Sequence, residues 1–161
     1  MNGCIASPSN GRVAFGGPEN DITLWDYRNG GELSQVWAAQ NVPHDKLHLR
    51  QPVFVSALCF LGEAKEADRS SLRLSEALFF TGENEEKIVS GTGYRQLRLY
   101  DPLAGRRPVL DLDVVQQTRG LGDYRITAIC AGGRDQPHAV FSGDAAGNLF
   151  LWDLRVSRRF T

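Results

Sequence analysis

Three stretches of the chain repeat one alternation of apolar and polar positions. The clearest copy reads IVSGTGYRQLRLYDPLAGRRPVL, where an apolar run starting at Ile88 ends in a glycine-rich turn and restarts at Leu97. Glycine accepts the positive φ of a tight turn, and the period-two alternation from Leu97 to Tyr100 predicts a strand. Asp101-Pro102 ends that strand, because proline has no N–H to donate to a ladder. The pattern predicts strand, turn, strand, turn, strand.

The same pattern recurs as RVAFGGPENDITLWDYR and as AVFSGDAAGNLFLWDLR. Each copy holds an aromatic residue followed by aspartate, at Trp25-Asp26, Tyr100-Asp101 and Trp152-Asp153. These aspartates are 75 and 52 residues apart. A four-stranded unit of about 40–45 residues with a Trp-Asp signature is typical of a propeller blade. We therefore predict an all-β fold, a partial propeller whose periods are lengthened by loops.

The repeats predict one partial propeller domain with three blade-like units, at about 3–40, 41–118 and 119–161. An insertion at 62–86, with seven acidic and three basic residues, separates two strands of the second unit, and 71–80 is expected to form a short helix or an extra strand. The predicted strands are 3–7, 12–16, 21–27 and 33–39, then 53–61, 87–90, 96–100 and 108–115, then 125–130, 138–142 and 149–154.

Three blades cannot close a ring, because each blade of a propeller buries its faces against two neighbours. We therefore predict an open arc of three blades. Its end blades would leave four apolar side chains partly exposed, namely Leu24, Trp25, Phe150 and Leu151.

Composition narrows the class of protein. The 18 Lys and Arg residues nearly balance the 19 Asp and Glu residues, which gives no bulk electrostatic reason to expect nucleic-acid binding. Three cysteines without a Cys-x-x-Cys motif fit a reducing compartment. No apolar run approaches the roughly 18 residues of a membrane helix, and the N-terminus lacks signal-peptide features. We expect an intracellular protein that is not in a membrane.

Candidate metal ligands and catalytic groups are few. Cys4, Cys59 and Cys130 each end a predicted innermost strand, which suggests one shared repeat position and small buried side chains rather than metal ligands. His44 and His48 have the spacing of zinc ligands on a helix, but the residues around them favour turns and no third ligand lies nearby. With no visible nucleophile and base, we expect a non-catalytic protein without a cofactor or metal.

Loop positions indicate where partners would bind. Because propeller strands run antiparallel, the connection 41–52 and the turn 93–96 are predicted to share one face, with the insertion and 104–107 on the opposite face. Packing over the blade is the alternative role for Leu47, Leu49, Pro52 and Tyr94, and a solvated surface is the alternative for the charged side chains. The candidate partner-binding residues are Asp45, Lys46, Arg50, Tyr94, Arg95, Arg106 and Arg107.

These motifs resemble the WD-repeat β-propeller family. The strings NVPHDKLHLRQPVFV and TGYRQLRLYDP, the latter followed by RRPVL, resemble one branch of it, the WD repeat-containing protein 74 or Nsa-one type of ribosome-assembly factor. The resemblance implies a complete propeller of about seven blades. It also implies a hydrogen-bonded network in which Asp144, Ser142 and Trp152 match three of four family positions and Leu121 stands where the family has histidine. The acidic insertion departs from the branch, whose corresponding connection is short.

The resemblance further implies a non-catalytic scaffold in large ribosomal subunit assembly and rRNA processing, located in the nucleolus or nucleus. Implied partners are pre-ribosomal assembly proteins and an AAA-type ATPase. Backbone contacts to rRNA would use Arg95, Arg98, Arg106 and Arg107, with Arg98 placed outward by alternation. The alternative is a generic WD-repeat adaptor that reads a peptide at the propeller centre, as in ubiquitin-ligase or chromatin complexes.

Overall fold

Strands dominate the computed structural model, which describes residues 4–6, 11–28, 30, 32–61, 87–118, 120, 123–132 and 136–155. Within this part of the chain, eleven strands form three antiparallel sheets. All strand ends agree with the sequence-based prediction to within two residues. The helix or strand predicted at 71–80, and the rest of the insertion, lie outside the described residues.

Each sheet is a meander in which consecutive strands pair. The first sheet has the order β1-β2-β3-β4 and the second β5-β6-β7-β8, while the third contains three strands in the order β9-β10-β11. The strands of the first sheet are β1 (Cys4–Ala6), β2 (Arg12–Gly17), β3 (Asn20–Asp26) and β4 (Ser34–Ala38). Those of the second are β5 (Val55–Leu61), β6 (Lys87–Thr92), β7 (Gln96–Tyr100) and β8 (Leu110–Asp113). Those of the third are β9 (Ile126–Ala131), β10 (Ala139–Asp144) and β11 (Leu149–Asp153).

The outer strand of the second sheet ends earlier than the predicted 108–115. The Asp113 side chain accepts the Val115 N–H at 3.0 Å and so caps a one-turn helix, α1 (Val114–Gln117). Aspartate is a favourable N-cap residue because its carboxylate satisfies an N–H that the helix leaves free. The chain therefore turns out of the sheet at Asp113 and leads toward the third sheet.

A glycine at one register position allows the sheets to stack closely. This glycine lies in the second strand of each sheet and is Gly16, Gly91 or Gly143. In each case it follows by three residues the residue that pairs with the aromatic side chain of the aromatic-Asp motif. A Cβ on Gly16 would lie 3.1 Å from Val55, and a Cβ on Gly91 would lie 2.4 Å from Ile126. Each contact joins a second strand to a β-branched residue of the next sheet. At Gly143 the nearest atoms lie 3.9 Å away, one of them in Ala128 of its own sheet.

The core lies between neighbouring sheets, in two clusters. Ile22, Ile88 and Tyr100 belong to the cluster between the first and second sheets. Val89 and Val140 belong to the cluster between the second and third. Adjacent residues of β6 thus pack against different sheets, as expected for a strand with both faces covered.

The predicted exposure of the end blades is confirmed for three of four side chains. Trp25 and Phe150 are partly buried, and Leu151 is 62% exposed. The prediction was wrong for Leu24, which is only 2% exposed. The face of β3 that carries Leu24 packs against the second sheet, so this end blade has one covered face.

Candidate partner-binding surface

A braced turn forms the tip of the connection 41–52. One Asp45 carboxylate oxygen accepts the N–H groups of Leu47 and Leu49 at 2.8 and 2.9 Å. The Asp45 N–H donates to the Leu49 carbonyl at 3.1 Å, and the His48 N–H donates to the Asp45 carbonyl at 3.0 Å. At the base of the connection, the Asn41 side-chain amide donates to the Gln51 carbonyl at 2.7 Å. Hydrogen bonds within the connection therefore hold both its tip and its base.

The apolar side chains of this tip do not pack over the blade. Leu47 is 75% exposed, Leu49 is 60% exposed, and Pro52 is also exposed. The packing alternative was therefore wrong for these three residues. The reason is the braced turn itself, which orders the loop without using its leucines. Lys46 lies exposed between them, and its predicted partner contact stays a prediction, as does that of Asp45.

The turn 93–96 adjoins the end of the connection. The Gly93 N–H donates to the Phe54 carbonyl at 2.8 Å, and the Tyr94 ring meets the Phe54 ring edge-on at a centroid distance of 6.3 Å. Tyr94 remains 41% exposed. Arg95 has a positive φ of 72° and its guanidinium forms an ion pair with Asp123. Its positive charge is thus already balanced by a residue that precedes the third sheet.

The loop 101–109 differs from the predicted arrangement. The Arg106 Nε donates to the Ala38 carbonyl at 2.8 Å, and the Gln40 N–H donates to the Arg106 carbonyl at 2.7 Å. The indole N–H of Trp37 donates to the Gly105 carbonyl at 3.1 Å. Placing 104–107 opposite the connection was therefore wrong. The loop packs against the end of β4 because it supplies hydrogen-bond partners for the Ala38 carbonyl and the Gln40 N–H.

Arg98 also differs from the prediction. It is only 4% exposed, and its Nε donates to an Asp111 carboxylate oxygen at 3.1 Å. Alternation failed here because β7 lies in the middle sheet, whose two faces are both covered. Arg98 is therefore not available as an RNA contact, because its buried guanidinium is paired with the exposed Asp111.

A cavity of about 350 Å³ opens where the loop 101–109 meets the connection. Its lining joins two candidate residues that the sequence placed on opposite faces, Arg50 and Arg107. Arg50 also interacts electrostatically with Asp21. Burial raises the pKa of Asp21, and the positive charges of Arg98 and Arg50 offset part of that rise. The remaining lining residues, Gln40, Asn41, Val42, Pro43 and His44, had not been expected to form a site. Local sequence carries no signal for this cavity, because it is made by two segments about 60 residues apart.

The cysteines share one repeat position only in part. Cys59 pairs with Val89, which directly follows the strand partner of Tyr100. Cys130 pairs with Phe141, which directly follows the strand partner of Trp152, so the two cysteines are equivalent. In the first sheet that position belongs to Ala6, and Cys4 is two residues away. Burial, helped by nearby Cys130, raises the pKa of Cys59 to about 12. Cys130 is exposed, so the prediction of a buried side chain was wrong there.

The family-like hydrogen bond in the third sheet is confirmed. The Trp152 indole N–H donates to the Ser142 hydroxyl oxygen at 2.8 Å. The Asp144 carboxylate instead accepts N–H groups of Ala146 and Asn148 at 2.9 Å and closes the turn between β10 and β11. Leu121, which stands at the histidine position, lies outside the described residues.

Two further properties bear on the site. Among the described residues, no group of three or more His, Cys, Asp or Glu side chains is arranged to hold a metal ion. No helix in that part of the chain is long and apolar enough to cross a membrane.

Known proteins resemble the chain in sequence, although no protein-family model matches it. The chain is 33% identical over 147 residues to WD repeat-containing protein 74 of Bos taurus, and the match covers 91% of this chain and 30% of that protein. It is 30% identical over 118 residues to Ribosome biogenesis protein NSA1 of Meyerozyma guilliermondii, with 69% of this chain and 24% of that protein covered. The chain thus spans about 30% of the length of the former.

Solved structures show the same fold at low identity. Saccharomyces cerevisiae Sqt1 matches with a TM-score of 0.62 and 13% identity, over 91% of this chain and 33% of that one. The computationally designed Ika4 protein matches with a TM-score of 0.51 and 15% identity, over 92% of this chain and 63% of that one. We therefore identify the chain as a WD-repeat β-propeller protein similar to WD repeat-containing protein 74 and NSA1, with three blades in an open arrangement among the described residues.

Proposed function

We propose that this protein is a non-catalytic WD-repeat scaffold in assembly of the large ribosomal subunit and in rRNA processing. The observation that carries the proposal is the rigid tip 45–49, which presents two leucines to solvent. The names of the similar NSA1 proteins, which describe them as ribosome biogenesis proteins, support the same process. The proposed partners are pre-ribosomal proteins and an AAA-type ATPase that releases the scaffold, in the nucleolus or nucleus.

The tip has the physical properties of a protein-binding anchor. Leu47 and Leu49 are exposed by 75% and 60%, so covering them would remove apolar area from water. The hydrogen bonds of Asp45 have already fixed the turn, which lowers the conformational entropy that binding must remove. Tyr94, held against Phe54, adds a half-exposed aromatic ring of the kind enriched in binding hot spots. This pattern fits an apolar groove on a partner protein.

The tip also carries charge that can orient a partner. Lys46 and Arg50 are exposed on the same connection, whereas the carboxylate of Asp45 faces its own turn. Rim charges of this kind steer encounter and select partners more than they add affinity. We propose that Asp45 acts by shaping the tip, and that Lys46, Arg50, Tyr94, Arg95, Arg106 and Arg107 supply the surrounding polar contacts.

The test replaces an exposed leucine by aspartate and compares two sites of equal exposure. Leu49→Asp should lower co-sedimentation of the tagged protein with large-subunit precursors by about tenfold, as expected for loss of a hot-spot side chain. Leu33→Asp is the control, because Leu33 is 59% exposed, against 60% for Leu49, and lies in a different loop. Equal co-sedimentation of both variants would refute the proposal. Capture of a single stoichiometric peptide-bearing partner, without precursors, would support the adaptor alternative instead.

A further inference from the structure

The cavity between the connection and the loop 101–109 has features that the tip does not share. We propose that it binds the phosphodiester backbone of single-stranded RNA, with Arg50 and Arg107 holding one phosphate and His44 stacking on an adjacent base. This inference assigns an RNA ligand to a cavity beside the protein-binding tip, and it rests on the proposed function for its context.

The cavity presents two guanidinium groups, and the one carboxylate whose charge interacts with either of them among the described residues is that of Asp21, near Arg50. Arg50 and Arg107 are both exposed and both line it. Within the described residues, neither forms an ion pair, whereas Arg95, Arg98 and Arg155 do. A guanidinium offers a planar pair of N–H donors that matches the oxygens of a phosphate or carboxylate. The arrangement therefore favours an anion over a neutral or cationic ligand.

The two arginines are carried by backbone that is already fixed. The segment before Arg107 is held by the Gln40 N–H on the Arg106 carbonyl and by the Arg106 Nε on the Ala38 carbonyl. The segment after Arg50 is held by the Asn41 side chain on the Gln51 carbonyl. Binding would therefore order two side chains but no loop, which keeps its entropy cost small.

Size and lining distinguish RNA from an acidic peptide. A volume of about 350 Å³ lies within the usual range for small-ligand sites of about 300–1,000 Å³ and leaves room beside an anion for a further group. Val42 and Pro43 supply an apolar wall, and His44 supplies an aromatic ring. A nucleotide uses all three elements, because its base can stack while its phosphate meets the arginines. A lone aspartate or glutamate side chain would engage the arginines and leave the apolar wall and the ring unused.

Fluorescence anisotropy with fluorescein-labelled decauridylate, at several KCl concentrations, tests the inference on the complete chain. Arg107→Ala and Arg50→Ala should each weaken binding about tenfold at low salt and reduce the slope of log K against log salt by about 0.7, the value for one phosphate contact on a single strand. Arg125→Ala removes the same charge from an exposed arginine outside the cavity and should change neither quantity. His44→Ala should weaken binding with an unchanged slope, and His48→Ala should have no effect.

Two results would overturn the inference. One is equal affinity and slope for Arg107→Ala and Arg125→Ala. The other is displacement of the labelled RNA by a decaglutamate peptide at a lower concentration than by unlabelled decauridylate, which would make this a carboxylate site. If Arg50→Ala folds poorly, Arg107→Gln, which changes an exposed side chain of the cavity, is compared with Arg125→Ala in the same way. Wild-type RNA binding without particle co-sedimentation would refute the proposed function alone, and the reverse result would refute this inference alone.

Discussion

Equivalent side chains in two blades have different hydrogen-bonding states. Ser142 lies two residues after the strand partner of Trp152, and Ser90 lies two residues after the strand partner of Tyr100. The two serines are 2% and 1% exposed. Ser142 accepts the indole N–H of Trp152. Ser90 has no hydrogen-bond partner among the described residues, because the second blade has Tyr100 in place of tryptophan. The same serine therefore stabilises one blade and carries an unmatched buried hydroxyl in the other.

This difference makes a matched prediction. Ser142→Ala should lower the free energy of unfolding by about 1–3 kcal/mol, because it leaves the buried indole N–H of Trp152 without an acceptor. Ser90→Ala should be neutral or stabilising, because it removes a buried hydroxyl that is already unsatisfied. Urea denaturation followed by tryptophan fluorescence measures both. Equal destabilisation by the two substitutions would contradict this account.

Sequence reasoning was reliable for residues whose environment is set locally. The Trp152–Ser142 bond was implied by the family resemblance, and it lies between two paired strands of one hairpin. Arg98 was misplaced because alternation identifies two faces but does not reveal that both are covered. Exposure of Cys130 was missed for a related reason, since it depends on what lies against the third sheet.

At the scale of elements, neighbouring blades are joined by one recurrent contact. A glycine in the second strand of one sheet packs against a β-branched residue in the first strand of the following sheet. The two pairs are Gly16 with Val55 and Gly91 with Ile126. Ser56, in the first strand of the second sheet, adds a hydrogen bond from its hydroxyl to the Ile126 carbonyl at 2.5 Å. The strand β5 therefore contacts both neighbouring sheets, the first through Val55 and the third through Ser56.

Substitution of this glycine should depend on whether a neighbour is present. Gly91→Ala should destabilise the protein by about 1–3 kcal/mol, because the added methyl would overlap Ile126 in a packed core. Gly143→Ala, at the equivalent position, should change stability by no more than about 0.5 kcal/mol, because its nearest atoms lie 3.9 Å from the new Cβ. Chemical denaturation of both variants provides the comparison. A loss at Gly143 as large as that at Gly91 would show that backbone conformation, and not blade contact, selects glycine.

Elements were predictable because their signals are short-range. Period-two alternation and glycine turns set the strands and their order, and side-chain caps such as that of Asp113 only adjusted the strand ends. The arginine cavity was not predictable. It requires the loop 101–109 to meet the segment after β4, and that contact depends on the stacking of two sheets.

At the scale of the whole molecule, the third sheet has an uncovered strand at its edge among the described residues. Leu149 and Leu151 of β11 are 74% and 62% exposed, and β11 pairs only with β10. An exposed strand edge with apolar side chains is a template for pairing with another chain. The open arrangement predicted from three repeats thus has a measurable consequence.

We expect the 161-residue chain to self-associate in solution through this edge. Leu149→Lys with Leu151→Lys should shift it toward the monomer in size-exclusion chromatography with light scattering, because lysine on an edge strand opposes pairing. Leu47→Lys with Leu49→Lys is the control, since those side chains are 75% and 60% exposed but lie on a loop. A wild-type chain that elutes as a single monomeric species, or equal effects of both pairs, would contradict the prediction.

The glycine contact also bears on how such proteins change in length. Because both observed junctions pair a small recess with a β-branched side chain, Val55 at one and Ile126 at the other, the same kind of interface can join further blades. Gly143 keeps that recess open at the third blade. A designed blade carrying valine or isoleucine at the matching position should therefore extend the stack beyond the third blade.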